Sequence, residues 1–234
     1  MENSLIEKVA HTNALDRAYH AVCKNRADAG DHNLIWEVRR RWGDLRDELS
    51  QALLSDSYHF MPQREYKING KLITCWEPKD AIVIKAMTEV LTPLLTPQLS
   101  ERCMHVKGRG LKKAVSTVHR GMKEAAYFCR SDVKRYYGSI NHGLLMGMLK
   151  EHIQDPLVLR LLHDFCQRLV DREDGTIDHV YGGISLGSSL SPLISALYLT
   201  ALDKAMEKKN INYVRYMDKV QRFTSRQREF KTGL

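Results

Sequence analysis

The sequence predicts an α+β fold, a mixed sheet backed by helices, and three observations carry that prediction. Apolar residues recur at helical spacing over several segments. Two other segments alternate in the period of a strand around Asn-Gly and Asp-Gly turns. Two more strand patterns each close on an aspartate, Asp132 and Asp218. At 234 residues, with 43% hydrophobic and 27% charged residues, the chain can bury one large core or two small ones. No internal repeat and no linker rich in Gly, Pro or Ser divides it.

Taken in order, Asn13 or Asp16 starts a helix through LDRAYHAVCKN, with Leu15, Ala18, Tyr19 and Val22 on one stripe. Residues 27–33 read as a turn broken at Gly30, after which Asp31 or Asn33 caps a second helix. That helix is expected from about Leu34 to Leu54, its apolar stripe opposite Arg39, Arg40, Arg41, Arg46 and Asp47. From Ser57 to Trp76 the pattern is a hairpin on Asn69-Gly70. Pro78 opens the next helix, which Pro93 and Pro97 are expected to end. A basic helix follows from Leu111 to Ala126, and FCRSDVKRYYGSI is a strand closing on Asp132. Helices are expected over Gly143–Lys150 and between Pro156 and Val170, then a hairpin on Asp174-Gly175. SPLISALYLTALDKAMEKK reads as one long amphipathic helix, and INYVRYMD as a strand ending on Asp218.

Composition removes several function classes. No apolar run approaches the roughly 20 residues that span a bilayer, so no membrane partner is expected. The N-terminus lacks the parts of a signal peptide, and a cytoplasmic location is the expectation. Five scattered cysteines form no CxxC pair, which argues for reduced thiols and against zinc. Net charge is +8, and cations crowd the stretch from Arg102 to Arg135. A solvated helix face and a phosphate track explain that cluster equally well.

The chemistry concentrates in Asp132 and Asp218. A carboxylate at a strand end among apolar residues is costly unless something binds it. Two of them brought together would hold divalent cations, and a metal pair can clamp the attacking and leaving oxygens of phosphoryl transfer. Tyr136 and Tyr137 closely follow the first acid, and GGISLGSSLSPLISALYL stands between the two.

This ordered triplet resembles reverse transcriptases, in particular the bacterial group II intron-like and related retroelement enzymes. The likeness runs from about Asn13 to Asp218, through SYHFMPQREYKINGK, PKDAIVIKAMTEVL and HVKGRGLKKAV. It implies a right-hand polymerase: a helical N-terminal extension over 1–56, fingers over 57–128, and a partial palm over 129–218 with motifs A, B and the start of C. The implied reaction is RNA-templated DNA synthesis from an RNA template, a DNA primer and dNTPs, and the element's own RNA is a further implied partner. By the same likeness Asp132 and Asp218, with the Val133 carbonyl, would ligate two Mg²⁺ ions, Mn²⁺ being the alternative. Tyr137 would lie under the sugar of the incoming nucleotide and exclude a 2′-hydroxyl. Gly187 and Ser188 would contact the nucleotide, and Ser191 and Pro192 the template. Arg109, Lys107, Lys112 and Lys113 would meet triphosphate or nucleic acid oxygens.

The sequence also departs from the family pattern. Leu186 stands where a Gln is usual, and Ile73 where the fingers often carry a cation, leaving Arg64, Lys67 and Lys71 as candidates for the triphosphate. Lys219 replaces the second Asp of the Tyr-x-Asp-Asp signature. The following VQRFTSRQREFKTGL reads as a basic tail (219–234) without the apolar strand that should pair back onto YVRYM, and no thumb follows. The expectation is a truncated reverse transcriptase of weak or no activity. The alternative is a non-catalytic nucleic-acid-binding remnant of a retroelement.

Overall fold

The computed structural model describes residues 4–26, 35–68, 70–106, 108–209 and 211–225. The expected turn over 27–33, with Asp31 and Asn33 as caps, lies outside these residues, as do Asn69 and Lys107.

The N-terminal part is helical from its first described residues. Helix α1 (Leu5–Ala10) opens with a capping box: the Ser4 hydroxyl accepts from the Glu7 N–H, and the Glu7 carboxylate accepts from the Ser4 N–H at 2.8 Å. Helix α2 (Thr12–Asn25) is capped by the His11 ring rather than by Asn13 or Asp16. Asp16 instead accepts from the Trp42 indole at 2.8 Å, beneath a stack of Trp42 on Tyr19. The single helix expected up to Leu54 is two, α3 (Ile35–Arg40) and α4 (Trp42–Leu54), parted at Arg41. Helix α5 (Pro78–Leu95) continues two residues past Pro93 and ends before Pro97. Pro93 falls in its last turn, and Ile82, Val83, Met87, Leu91 and Leu95 bury the helix against the core.

Two sheets follow. Strands β1 (Gln63–Ile68) and β2 (Lys71–Cys75) form the expected hairpin, with Gly70 at φ 76°. Helix α9 (Pro156–Cys166) ends early because residues 169–171 become strand β4 (Leu169–Asp171), which pairs parallel with β1. Strand β5 (Ile177–His179) returns on the Asp174-Gly175 turn, giving the order β2-β1-β4-β5.

The second sheet holds β3 (Tyr127–Asp132), β6 (Tyr213–Tyr216) and β7 (Lys219–Thr224) in the order β3-β7-β6. The expectation that nothing pairs back onto YVRYM is therefore corrected. Strand β7 is the central strand, antiparallel to both neighbours. Its cations disguise it, but Val220 and Phe223 are buried on opposite faces of the sheet. Phe223 clusters with Ala114 of helix α6 (Gly110–Glu124) and Val214 of β6, and Val220 joins Met206 and Tyr213. Met206 lies on α11 (Thr200–Lys208), which is separated from α10 (Ser191–Tyr198) at Leu199, so the one long helix expected there is two. The main core is built by α1, α2, α4, α5, α9, α10 and helix α8 (His142–Lys150). Among the described residues, no helix is long and apolar enough to cross a membrane.

Candidate active site

Strand β6 ends at Tyr216 and Asp218 falls on the turn into β7; because β7 pairs with β3, that turn arrives beside the end of β3. Asp132 closes β3 directly opposite Lys219, and the Val133 N–H donates to the Asp218 carbonyl at 3.2 Å. Asp132 is exposed and Asp218 half-buried. Among the described residues neither carboxylate takes part in a hydrogen bond or ion pair, and the Lys219 ammonium pairs with neither. Both acids thus keep their oxygens open toward one end of the sheet.

The turn that carries Asp218 is bent at Met217, whose φ of 56° is unusual for a residue with a side chain. Both polar groups of its backbone are gripped from outside the turn. His105 Nδ1 accepts the Met217 N–H at 2.9 Å, and the Arg215 guanidinium donates to the Met217 carbonyl at 3.3 Å. Arg215 itself is fully buried. Its Nε lies 3.0 and 3.1 Å from the two Asp203 oxygens, and its Nη2 donates to Asp203 and to the Ala196 carbonyl.

Tyr137 sits on the short helix α7 (Tyr136–Ser139), half-buried, with its hydroxyl 3.5 Å from Ser195 Oγ. Burial pushes the phenol pKa upward and the Asp218 charge adds to the rise, so Tyr137 and Asp218 share one environment. The loop between β5 and α10 docks beside them. Gly183 N–H donates to Ile140 and Ile184 N–H to Tyr137, each at 2.8 Å. Only glycine fits at 183: φ is 75°, and a Cβ would stand 2.7 Å from the Gly138 Cα.

Further along this loop, Gly187 and Ser188 line a cleft of about 820 Å³ together with Leu72, Ile73 and Leu186. Ser188 Oγ accepts the Ser191 N–H at 3.1 Å, while the buried Ser191 hydroxyl donates inward to the Ser185 carbonyl at 2.5 Å. Pro192 sits in the first turn of α10, and its carbonyl faces His105 Nε2 at 3.1 Å. The loop is braced from behind. Gln63 Nε2 and Trp76 Nε1 both donate to Ser185 Oγ, and Arg168 and the buried His142 donate to the Gly183 carbonyl.

The structure therefore gathers Asp132, Val133, Tyr137 and Asp218, with Pro192 tied to the Asp218 turn through His105, whereas Gly187 and Ser188 line the cleft further along the loop, whose walls include neither acid. Arg109 does not join them: its guanidinium is turned inward onto the carbonyls of Ser100 and Cys103. Lys112 and Lys113 are exposed on α6, and Lys107 lies outside the described residues. Of the triphosphate candidates, Arg64 pairs with Glu77 at 2.9 Å and Lys67 is exposed. His105, Arg215, Asp203, Gln63 and Arg168 escaped the sequence reading. Only Arg215 left a signal there, a cation inside an otherwise apolar strand.

As a metal site the donor set is lean. Among the described residues no group of three or more His, Cys, Asp or Glu converges. Two open carboxylates still suit a hard cation such as Mg²⁺, which is commonly bound by one or two carboxylates plus substrate phosphates. Lys219 stands where a further carboxylate would add to them.

Comparison with known proteins is consistent with this geometry. The reverse transcriptase (RNA-dependent DNA polymerase) family profile matches residues 72–234. The group II intron-encoded protein LtrA of Lactococcus lactis subsp. cremoris is 25% identical over 67% of this chain and 27% of its own length. An uncharacterised 91 kDa protein in the cob intron of Schizosaccharomyces pombe is 25% identical over 70% of this chain and 21% of its own. Protein YkfC of Escherichia coli K12 is 26% identical over 72% of this chain and 46% of its own. The chain thus spans less than half the length of these relatives. A solved chain of the partial Cas6-RT-Cas1–Cas2 complex superposes with a TM-score of 0.64 at 18% identity, covering 97% of this chain and 39% of that one. At that identity the likeness concerns the fold.

Proposed function

Because the chain belongs to the reverse transcriptase (RNA-dependent DNA polymerase) family, of the group II intron-like kind, we propose that its site extends a DNA primer on an RNA template by nucleotidyl transfer, at a rate held down by Lys219. One observation carries the reading. Asp132 at the end of β3 lies beside Asp218 on the turn into β7, the strand that pairs with β3, and both carboxylates are free of partners among the described residues.

Asp132 and Asp218, with the Val133 carbonyl, would hold Mg²⁺ or Mn²⁺, and such ions neutralise charge on the phosphates and lower the barrier to attack. The primer 3′-hydroxyl attacks the α-phosphate of a dNTP, and pyrophosphate leaves. Tyr137 bears on the sugar and rejects a 2′-hydroxyl by clash. The Gly187–Ser188 backbone borders the cleft that would receive template and base pair. The ammonium of Lys219, beside Asp218 in sequence and opposite Asp132 across the ladder, opposes any cation there.

The test is primer extension on poly(rA)/oligo(dT) with dTTP and Mg²⁺. Weak synthesis is expected, lost in Asp132→Ala and Asp218→Ala and increased in Lys219→Asp. Robust synthesis that ignores Asp132→Ala would overturn the proposal. Lys219 also favours a second reading, a nucleic-acid binder without catalysis. It is the outcome if salt-dependent RNA binding survives both alanine substitutions and Lys219→Asp restores nothing.

A further inference from the structure

His105 touches neither carboxylate, yet it joins the two halves of the site. It follows the Arg102–Met104 segment, which runs along β6: the Arg215 N–H donates to Arg102 and the Met104 N–H to Arg215. From there the imidazole reaches the Asp218 turn on one side and the start of α10 on the other. The Met217 N–H can only donate and the Pro192 carbonyl can only accept. The ring is therefore neutral, with its proton on Nε2. The surroundings agree, since burial and the Arg215 cation lower its pKa to about 4. The Tyr216 ring meets it edge-on, with centroids 5.9 Å apart.

Met217 is the residue this contact acts upon. A left-handed conformation at a non-glycine residue persists only when its surroundings impose it. Here the N–H is held by His105 and the carbonyl by Arg215. Relaxing Met217 toward ordinary φ would re-aim the next residue, Asp218, away from Asp132. We propose that His105 is a positioning residue, which holds the Met217 N–H so that the turn keeps its bend and the two carboxylates stay together. The bond to Met217 carries the effect, and the bond to Pro192 only orients the ring. The consequence for catalysis rests on the polymerase reading; the consequence for the turn does not.

Two near-isosteric substitutions separate the bonds. The Asn oxygen falls near the place of His Nδ1 and keeps an acceptor for Met217, whereas the Gln amide nitrogen falls near Nε2 and keeps a donor for Pro192. The full chain and its His105→Ala, His105→Asn and His105→Gln variants would be compared by amide hydrogen exchange at Met217, resolved by NMR. The kcat and KM for dTTP would be read in the primer-extension assay. Met217 exchange is expected to rise about tenfold or more in the Ala and Gln variants, with the other β6 and β7 amides unchanged and Asn near wild type. In parallel kcat falls about 10²-fold in Ala and Gln at little change in KM, because misplacing a reacting group taxes the chemical step. If Ala loosens every strand amide, the Asn–Gln comparison decides alone. A Gln variant that behaves as wild type, or unchanged Met217 exchange in His105→Ala, overturns the proposal. A wild-type chain that extends no primer refutes the polymerase reading instead, and the exchange comparison still settles the turn.

Discussion

Asp80 is an acid with no exposed surface, in the first turn of α5. Its carboxylate accepts from the Tyr58 hydroxyl at 2.5 Å and from the Met61 N–H at 3.0 Å, tying the loop before β1 to the helix. Burial nevertheless outweighs those bonds and raises its pKa from 3.8 to about 6. A folded-state pKa above the unfolded one means that protonation favours folding. This contribution is complete below pH 3.8 and is lost as pH rises through about 6. Urea denaturation of wild type and Asp80→Asn at pH 4 and 7.5 should show the wild type losing up to about 3 kcal/mol more across that interval. Equal pH dependence in the two proteins would contradict the assignment. Single residues were unevenly legible in the sequence. Asp132 and Asp218 stood out because aromatic neighbours and strand patterns framed them. His105 did not, since its partner Met217 lies 112 residues away and no spacing rule links a ring nitrogen to a distant backbone N–H.

Elements were legible where one face repeated and illegible where tertiary partners overrode the pattern. The stripes of α2, α5 and α9 and both hairpins could be read directly. The breaks at Arg41 and Leu199 carry neither Pro nor Gly, and β4 is a three-residue strand that exists because β1 offers it a parallel edge. Strand β7 was hidden by its cations, which read as a solvated tail until β3 and β6 enclosed it. Its neighbour β6 is anchored to α10 and α11 by the buried pair of Arg215 and Asp203, whose side chains are 0% and 1% exposed. Removing one ion strands the other, so Arg215→Met should cost about 3–5 kcal/mol in urea denaturation. The double variant Arg215→Met with Asp203→Leu should recover much of that loss. A single substitution as mild as the double one would show that the pair does not organise this edge.

Across the whole molecule, one large helical core supports both sheets, and two small cores clasp β7 from either side. The site lies at the end of the three-stranded sheet, flanked by the loop that enters α10. Net charge is +8, and α6 presents Lys112 and Lys113 to solvent. Binding to single-stranded RNA should therefore weaken linearly on a log–log plot of affinity against salt. Replacing both lysines by alanine should flatten the slope by about 1.4, roughly 0.7 for each phosphate no longer neutralised. A fluorescence-anisotropy titration at several salt concentrations measures it, and an unchanged slope would place the phosphate track elsewhere.

The placement of β7 also bears on how the molecule is made. Among the described strands it is the last to leave the ribosome, yet it is the one that separates β3 from β6. Until Thr224 has emerged, β3 and β6 have no common partner, and Asp132 and Asp218 are held together by nothing. The helices of the main core all precede β7 in the chain and can pack before it emerges, while the acidic pair must wait for β7 to pair with β3 and β6.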